Sequence, residues 1–151
     1  MEQSIYQIAE VQIVYHSQKR NSQSIAITKA EDAYNLFLDS WDQGRLGFLE
    51  ESKILLLNRA NKVLGICPIS MGGVSGTVVD PKVVFVAAIK AGASGLIIAH
   101  NHPSGNLKPS QQDLHLTRKL REGGRLLDIE VLDHLIVTEE GYYSFADEGV
   151  L

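Results

Sequence analysis

Cysteine is nearly absent from this chain: Cys67 is the only one in 151 residues. No intramolecular disulfide can form, and a cysteine-rich zinc cluster is excluded. A reducing, cytoplasmic location is the expectation. No apolar run approaches the roughly 18 residues of a membrane helix. The longest, Val83 to Ile89, amounts to about two helical turns. Met1-Glu2-Gln3-Ser4-Ile5 lacks a basic stretch leading into an apolar one, so no secretion signal is expected. Internal repeats, low-complexity tracts and Pro/Gly/Ser-rich linkers are missing. Positive charge is in deficit, with a formal net charge of -4. That balance argues against a broad basic face for nucleic acid, although a local patch of Lys19, Arg20 and Lys53 would not show in the sum. Three signatures are also missing: His-Glu-x-x-His, the deaminase pair His-x-Glu with Pro-Cys-x-x-Cys, and a phosphate-binding glycine loop.

What is present suits one domain. Hydrophobic residues make up 44% of the chain, enough for one core, and charged residues 21%. Val11 to Tyr15 reads as a strand, and Ser24 to Thr28 as a second, short one. Lys29 to Trp41 carries Ala33, Leu36, Phe37 and Trp41 at a helical period. Leu49 to Leu57 and Val63 to Ile69 read as hairpin partners around the turn Asn58 to Lys62. Asp80-Pro81 supplies an N-cap and a first-turn proline, and Gly92 a stop, for a helix between them. Gly95 to Ala99 is a strand of small and branched residues, and His100 to Lys108 a loop. A second helix opens at Pro109-Ser110 and is expected to end at Gly123-Gly124. Ile129 to Leu132, His134 to Thr138 and Gly141 to Phe145 are closing extended pieces, with Cys67 in the core. The class is α/β or α+β, a mixed sheet flanked by helices.

The chemistry concentrates after the Leu96 to Ala99 strand. His100 and His102, at i and i+2 in extended geometry, leave the same face and can reach one ion. Asp113 lies in the first turn of the helix that begins at Ser110, and the Pro103, Gly105 and Pro109 pattern folds the loop back toward the strand end. Two imidazoles and a carboxylate leave a fourth tetrahedral position for water, the mark of a catalytic rather than a structural zinc. Ser110-x-x-Asp113 is equally a helix capping box, which needs no metal. Asn101 and Ser104 read as turn formers, His115 as surface, and His134 as a structural residue in a closing strand, with support of the ligands from behind as the alternative.

His-x-His, seven residues, then Ser-x-x-Asp is the JAMM signature, complete here as His100, His102, Ser110 and Asp113. The chain resembles the RadC family of JAMM/MPN-domain proteins. Further segments carry the likeness: Leu56-Leu57-Asn58-Arg59-Ala60-Asn61-Lys62-Val63-Leu64, Gly73 to Asp80, Ala99 to Gly105 and Leu132 to Val137. The resemblance runs from residue 45 to the end, a JAMM/MPN domain over 45–151 with the cytidine-deaminase-like architecture. Residues 1–44 look like an extension of strand plus helix packed on it. It implies Zn2+ held by His100, His102 and Asp113, and an upstream glutamate as general base. Glu50 and Glu51 are the candidates. RadC-like proteins show Glu-x-Phe there, which aligns Glu50 with the catalytic position, although Ser52 stands in place of the aromatic. Ser110 would hydrogen-bond the metal-bound water or the developing oxyanion. The implied activity is hydrolysis of an amide bond, peptide or isopeptide, in a protein or peptide substrate. The alternatives are a binding module of DNA maintenance or mobile elements that keeps the metal site, and a metal-dependent nuclease. No helix-hairpin-helix module of longer RadC proteins is seen, so direct DNA binding is expected to be weak or absent.

Overall fold

Ser52-Lys53-Ile54-Leu55-Leu56-Leu57 has no polar face, as expected of a strand covered on both sides. In the computed structural model, which describes residues 25–73 and 76–151 with Ala9 and Gln12, β1 (Glu51–Leu57) is buried along its whole length. Leu55 and Leu57 pack with Phe37 and Trp41 on one side of the sheet. Ile54 and Leu56 pack with Val84, Phe85 and Leu120 on the other. α1 (Ala30–Ser40) and the short α2 (Gln43–Leu46) therefore serve one face, and α3 (Pro81–Lys90) and α4 (Gln111–Leu126) the opposite one.

Among the described residues the sheet has five strands in the order β2-β1-β3-β4-β5, with β2 (Val63–Met71), β3 (Gly95–Asn101), β4 (Glu130–Val137) and β5 (Tyr142–Ser144). β1 runs antiparallel to β2 and β3, β3 parallel to β4, and β5 antiparallel to β4. The parallel β3–β4 pair requires a crossover, which α4 supplies. The fold is α+β, a mixed sheet between helices. No helix among the described residues is long and apolar enough to cross a membrane.

Several boundaries differ from expectation, each for a physical reason. α4 does not stop at Gly123-Gly124 but runs to Leu126. A Cβ on Gly124 would stand 2.2 Å from the Ile129 carbonyl oxygen, and one on Gly123 2.9 Å from the Phe85 ring. These glycines are contact surfaces rather than a terminator. The two closing strands around Asp133 are one, because its carboxylate bonds the His134 and Ala146 amides and Ser144 Oγ instead of breaking the ladder. His100 is still within β3 and pairs across to Ser52. Cys67 is half-buried on β2, the edge strand among the described residues, and packs against the core without joining it. The strand expected over 24–28 appears as a single bridge, Ala26 to Lys62. The strand expected over Val11 to Tyr15 lies outside the described residues.

Candidate metal centre

The period of two in β3 sends Leu96, Ile98 and His100 to the α3/α4 side and Ile97, Ala99 and Asn101 to the α1 side. His100 thus stands at the end of an apolar row, 4% exposed. His102 follows just past the strand, held to β4 by its amide on the Val137 carbonyl. A turn closed by Gly105 N on His102 O then reverses the chain, with Gly105 at a φ of 80°, which glycine adopts without strain. α4 begins at Ser110, whose Oγ accepts from Asp113 N at 3.1 Å while its own amide donates to Asp113 Oδ2 at 2.8 Å. The capping box and the ligand geometry are one arrangement, since the cap fixes the carboxylate.

Three groups converge. His100 Nε2 lies 2.9 Å from His102 Nε2 and 3.3 Å from Asp113 Oδ1, and His102 Nε2 lies 3.6 Å from Asp113 Oδ2. Glu50 joins them, with ligand atoms of Glu50, His100 and His102 within 4.8 Å of one another. Burial would raise the Asp113 carboxyl, but the His100 and His102 imidazoles beside it outweigh that and hold Asp113 well below the usual carboxylate range. His102 is raised: burial opposes its charge, and hydrogen bonds to Asp113 and to the Asn106 carbonyl prevail.

This donor set fits a divalent cation. His102 Nδ1 lies 2.5 Å from the Asn106 carbonyl, which can only accept, so Nδ1 carries the hydrogen. On the neutral ring Nε2 is then a bare lone pair facing a second imidazole nitrogen and an ionised carboxylate. Such a cluster calls for positive charge among its atoms, a shared proton or a metal ion. Two imidazoles and one carboxylate are the ligand types zinc takes when a position is left for water.

Adjacent glutamates have separate fates. Glu51 is buried on the α1 side, where Arg45 Nε lies 2.8 Å from its Oε1. Glu50 is half-exposed, and its backbone is bonded on both sides to the Gly72-Gly73 segment. Gly72 cannot be another residue there, since a Cβ would fall 2.0 Å from the Gly76 oxygen.

Two residues depart from the first meaning the sequence gives them. Asn101 is no turn former. It lies within β3, accepts from Glu51 N at 2.7 Å and donates to the Leu46 and Leu49 carbonyls at 2.7 and 2.8 Å, pinning the segment that carries Glu50. The available signal was period-two alternation through His100 and His102, which puts Asn101 on the other face. His134, read as structural with support of the ligands as the alternative, lies 2.7 Å from His100 Nδ1. Its only signal was a histidine on the neighbouring strand. Ser104 does form a turn, accepting from Asn106 N, and His115 is exposed. Lys53 is no phosphate contact: it is buried, donates to the Ser40 carbonyl at 2.7 Å and lies over the Trp41 ring. Lys19 and Arg20 lie outside the described residues.

Comparison with known proteins shows the family. A family profile described as RadC-like JAB domain matches residues 27–150. A UPF0758 protein of Flavobacterium johnsoniae is 47% identical over 126 residues, covering 82% of this chain and 53% of that protein. One from Caldanaerobacter subterraneus subsp. tengcongensis is 39% identical over 131 residues, 82% of this chain and 55% of the relative. One from Aquifex aeolicus is 38% identical over 133 residues, 88% and 56%. The chain spans about half the length of these curated relatives. On the breadth of the profile match, the chain belongs to the RadC family and carries its JAB-type domain.

Proposed function

We propose that this chain is a zinc-dependent hydrolase of the JAMM type that cleaves an amide bond, peptide or isopeptide, in a protein or peptide substrate. The observation that carries the reading is the convergence of His100 Nε2, His102 Nε2 and the Asp113 carboxylate, with Glu50 beside them. Zinc held there by His100, His102 and Asp113 would supply Lewis acidity and a water that ionises near neutral pH. Glu50 accepts a proton from the attacking water and returns it to the amine leaving group. Glu51, committed to Arg45, takes no part. Capping uses one lone pair of Ser110 Oγ, so the hydroxyl hydrogen remains available to the oxyanion. A cavity of about 480 Å³ beside His102, between Pro103–Gly105 and residues 138–141, offers room for an extended polypeptide. Direct DNA binding by this chain is weak, given a net charge of -4 and Lys53 sequestered under Trp41.

Elemental analysis of purified protein and a panel of peptide, isopeptide and nucleic-acid substrates form the test. Zinc content drops sharply when His100 and His102 are both changed to alanine; full occupancy in that variant removes the site. Glu50→Gln keeps its zinc while hydrolysis falls by about 10² or more. Glu51→Gln keeps both. Loss of activity in Glu51→Gln alone would exchange the roles of the two glutamates.

A further inference from the structure

His134 is fully buried on β4, paired with Ile98 of the neighbouring β3, with its ring stacked on Phe145 at 4.4 Å between centroids and 13° between planes. It makes two short polar contacts. Nε2 lies 2.7 Å from His100 Nδ1, and Nδ1 lies 2.6 Å from Thr117 Oγ1. Thr117 Oγ1 in turn is 2.8 Å from the main-chain oxygen of Asp113. The path leads from one candidate ligand, His100, through two side chains to the backbone of another, Asp113.

Hydrogen counting gives this path one direction. The Asp113 carbonyl can only accept, so the single Thr117 hydroxyl hydrogen points to it. Thr117 Oγ1 then presents a lone pair to His134, whose Nδ1 must carry the hydrogen. No carboxylate contacts the His134 ring among the described residues, and the ring is fully buried, so a second hydrogen on it would leave a charge there with no partner. A neutral imidazole with hydrogen on Nδ1 has a bare Nε2, which accepts from His100 Nδ1. His100 is left with its lone pair on Nε2, the atom 3.3 Å from Asp113 Oδ1.

We propose that His134, directed by Thr117, is a positioning residue that locks His100 in the Nδ1–H tautomer, so that Nε2 is presented to a metal ion before the ion arrives. The inference rests on the metal-site reading above. Histidine ligands usually lean on a carboxylate or a carbonyl. Here the support is a neutral ring, which orients His100 without adding negative charge to the site. The Nε2–H form that predominates for histidine free in water would put a hydrogen on the nitrogen that must bind, and the relay removes that obstacle.

Long-range ¹H–¹⁵N NMR of the metal-free, wild-type chain, above the pH at which histidines are charged, reads the tautomer directly. His100 is expected with its hydrogen on Nδ1 and His134 likewise; His100 with its hydrogen on Nε2 would overturn the proposal without any variant. Zinc affinity by chelator competition supplies the second arm. His134→Phe keeps the stacking on Phe145 but removes the acceptor, and zinc binding weakens by about 10- to 100-fold. His134→Gln restores an acceptor oxygen and most of the affinity. Thr117→Val frees the His134 tautomer and gives a smaller loss; it also serves if His134→Phe does not fold. Wild-type affinity in folded His134→Phe would reduce His134 to packing and defeat the proposal. Failure of the metal reading looks different: wild-type His100 shows the Nδ1–H tautomer, yet the wild-type chain binds no zinc.

Discussion

Glu50 and Glu51 differ by one position, and the pleat of β1 sends one toward the imidazoles and the other under Arg45. At that scale the local pattern was legible: His-x-His and Ser-x-x-Asp are spacings within one strand end and one helical turn. His134 and Asn101 were not, because their partners lie 34 and 50 residues away and depend on strand register. Ser110 shows how a capping residue and a site residue coincide. Its amide and hydroxyl both hold Asp113, so Ser110→Ala removes the cap and costs about 1 kcal/mol. In a chain of this size that is a melting temperature lower by about 2–4 °C. Ser110→Thr retains most of it, and calorimetry of the two variants decides. Equal melting of Ser110→Ala and wild type would mean that the hydroxyl bond to Asp113 N contributes nothing.

Secondary elements were legible wherever a local signal and the tertiary demand agreed. Asp80-Pro81 starts α3 as read, with the Asp80 side chain accepting from Lys82 N at 2.9 Å. Gly123-Gly124 misled because a glycine pair carries the same letters whether it ends a helix or lets a strand approach one. The Ile129 carbonyl against Gly124 decides for the second meaning. Gly124→Ala therefore pushes α4 off the start of β4, and since the obstacle is backbone it cannot rotate away. The expected cost is about 3 kcal/mol, read by urea denaturation. Zinc affinity should fall with it, because the same helix carries Asp113 and Thr117. Gly65→Ala is the contrast: nothing lies within 4 Å of its Cβ position, and stability changes by less than about 1 kcal/mol. Comparable losses in the two would show that the helix–strand approach is not what Gly124 serves.

For the whole molecule, helices on both faces of one sheet follow from the apolar runs, whereas the order β2-β1-β3-β4-β5 is set by pairings that no local pattern encodes. That order brings β3, α4 and β4 together at one end, where a bound metal would compete with protons for the same atoms. In the metal-free chain the His100 and His102 imidazoles beside Asp113 hold it below its ordinary 3.8 despite burial. Its contribution to stability is complete above that value and fades as pH falls through the lower folded one. His102 is raised above its ordinary 6.5, its bonds to Asp113 and the Asn106 carbonyl overcoming burial. Its contribution is complete below 6.5 and is lost as pH rises through the folded value. Both contributions are therefore intact only between 3.8 and 6.5, and the metal-free chain weakens on passing to higher pH. Zinc would require His102 without its extra proton, so its affinity would rise on passing to that higher pH. A ligand at about 100 times its dissociation constant adds about 2.7 kcal/mol of stability. Thermal melts with chelator and with excess zinc should thus diverge as pH rises from about 5.5 to 8.5, the metal-free curve falling while the zinc increment grows. Two curves that remain parallel across that range would mean that His102 and Asp113 hold neither the shared proton nor the metal.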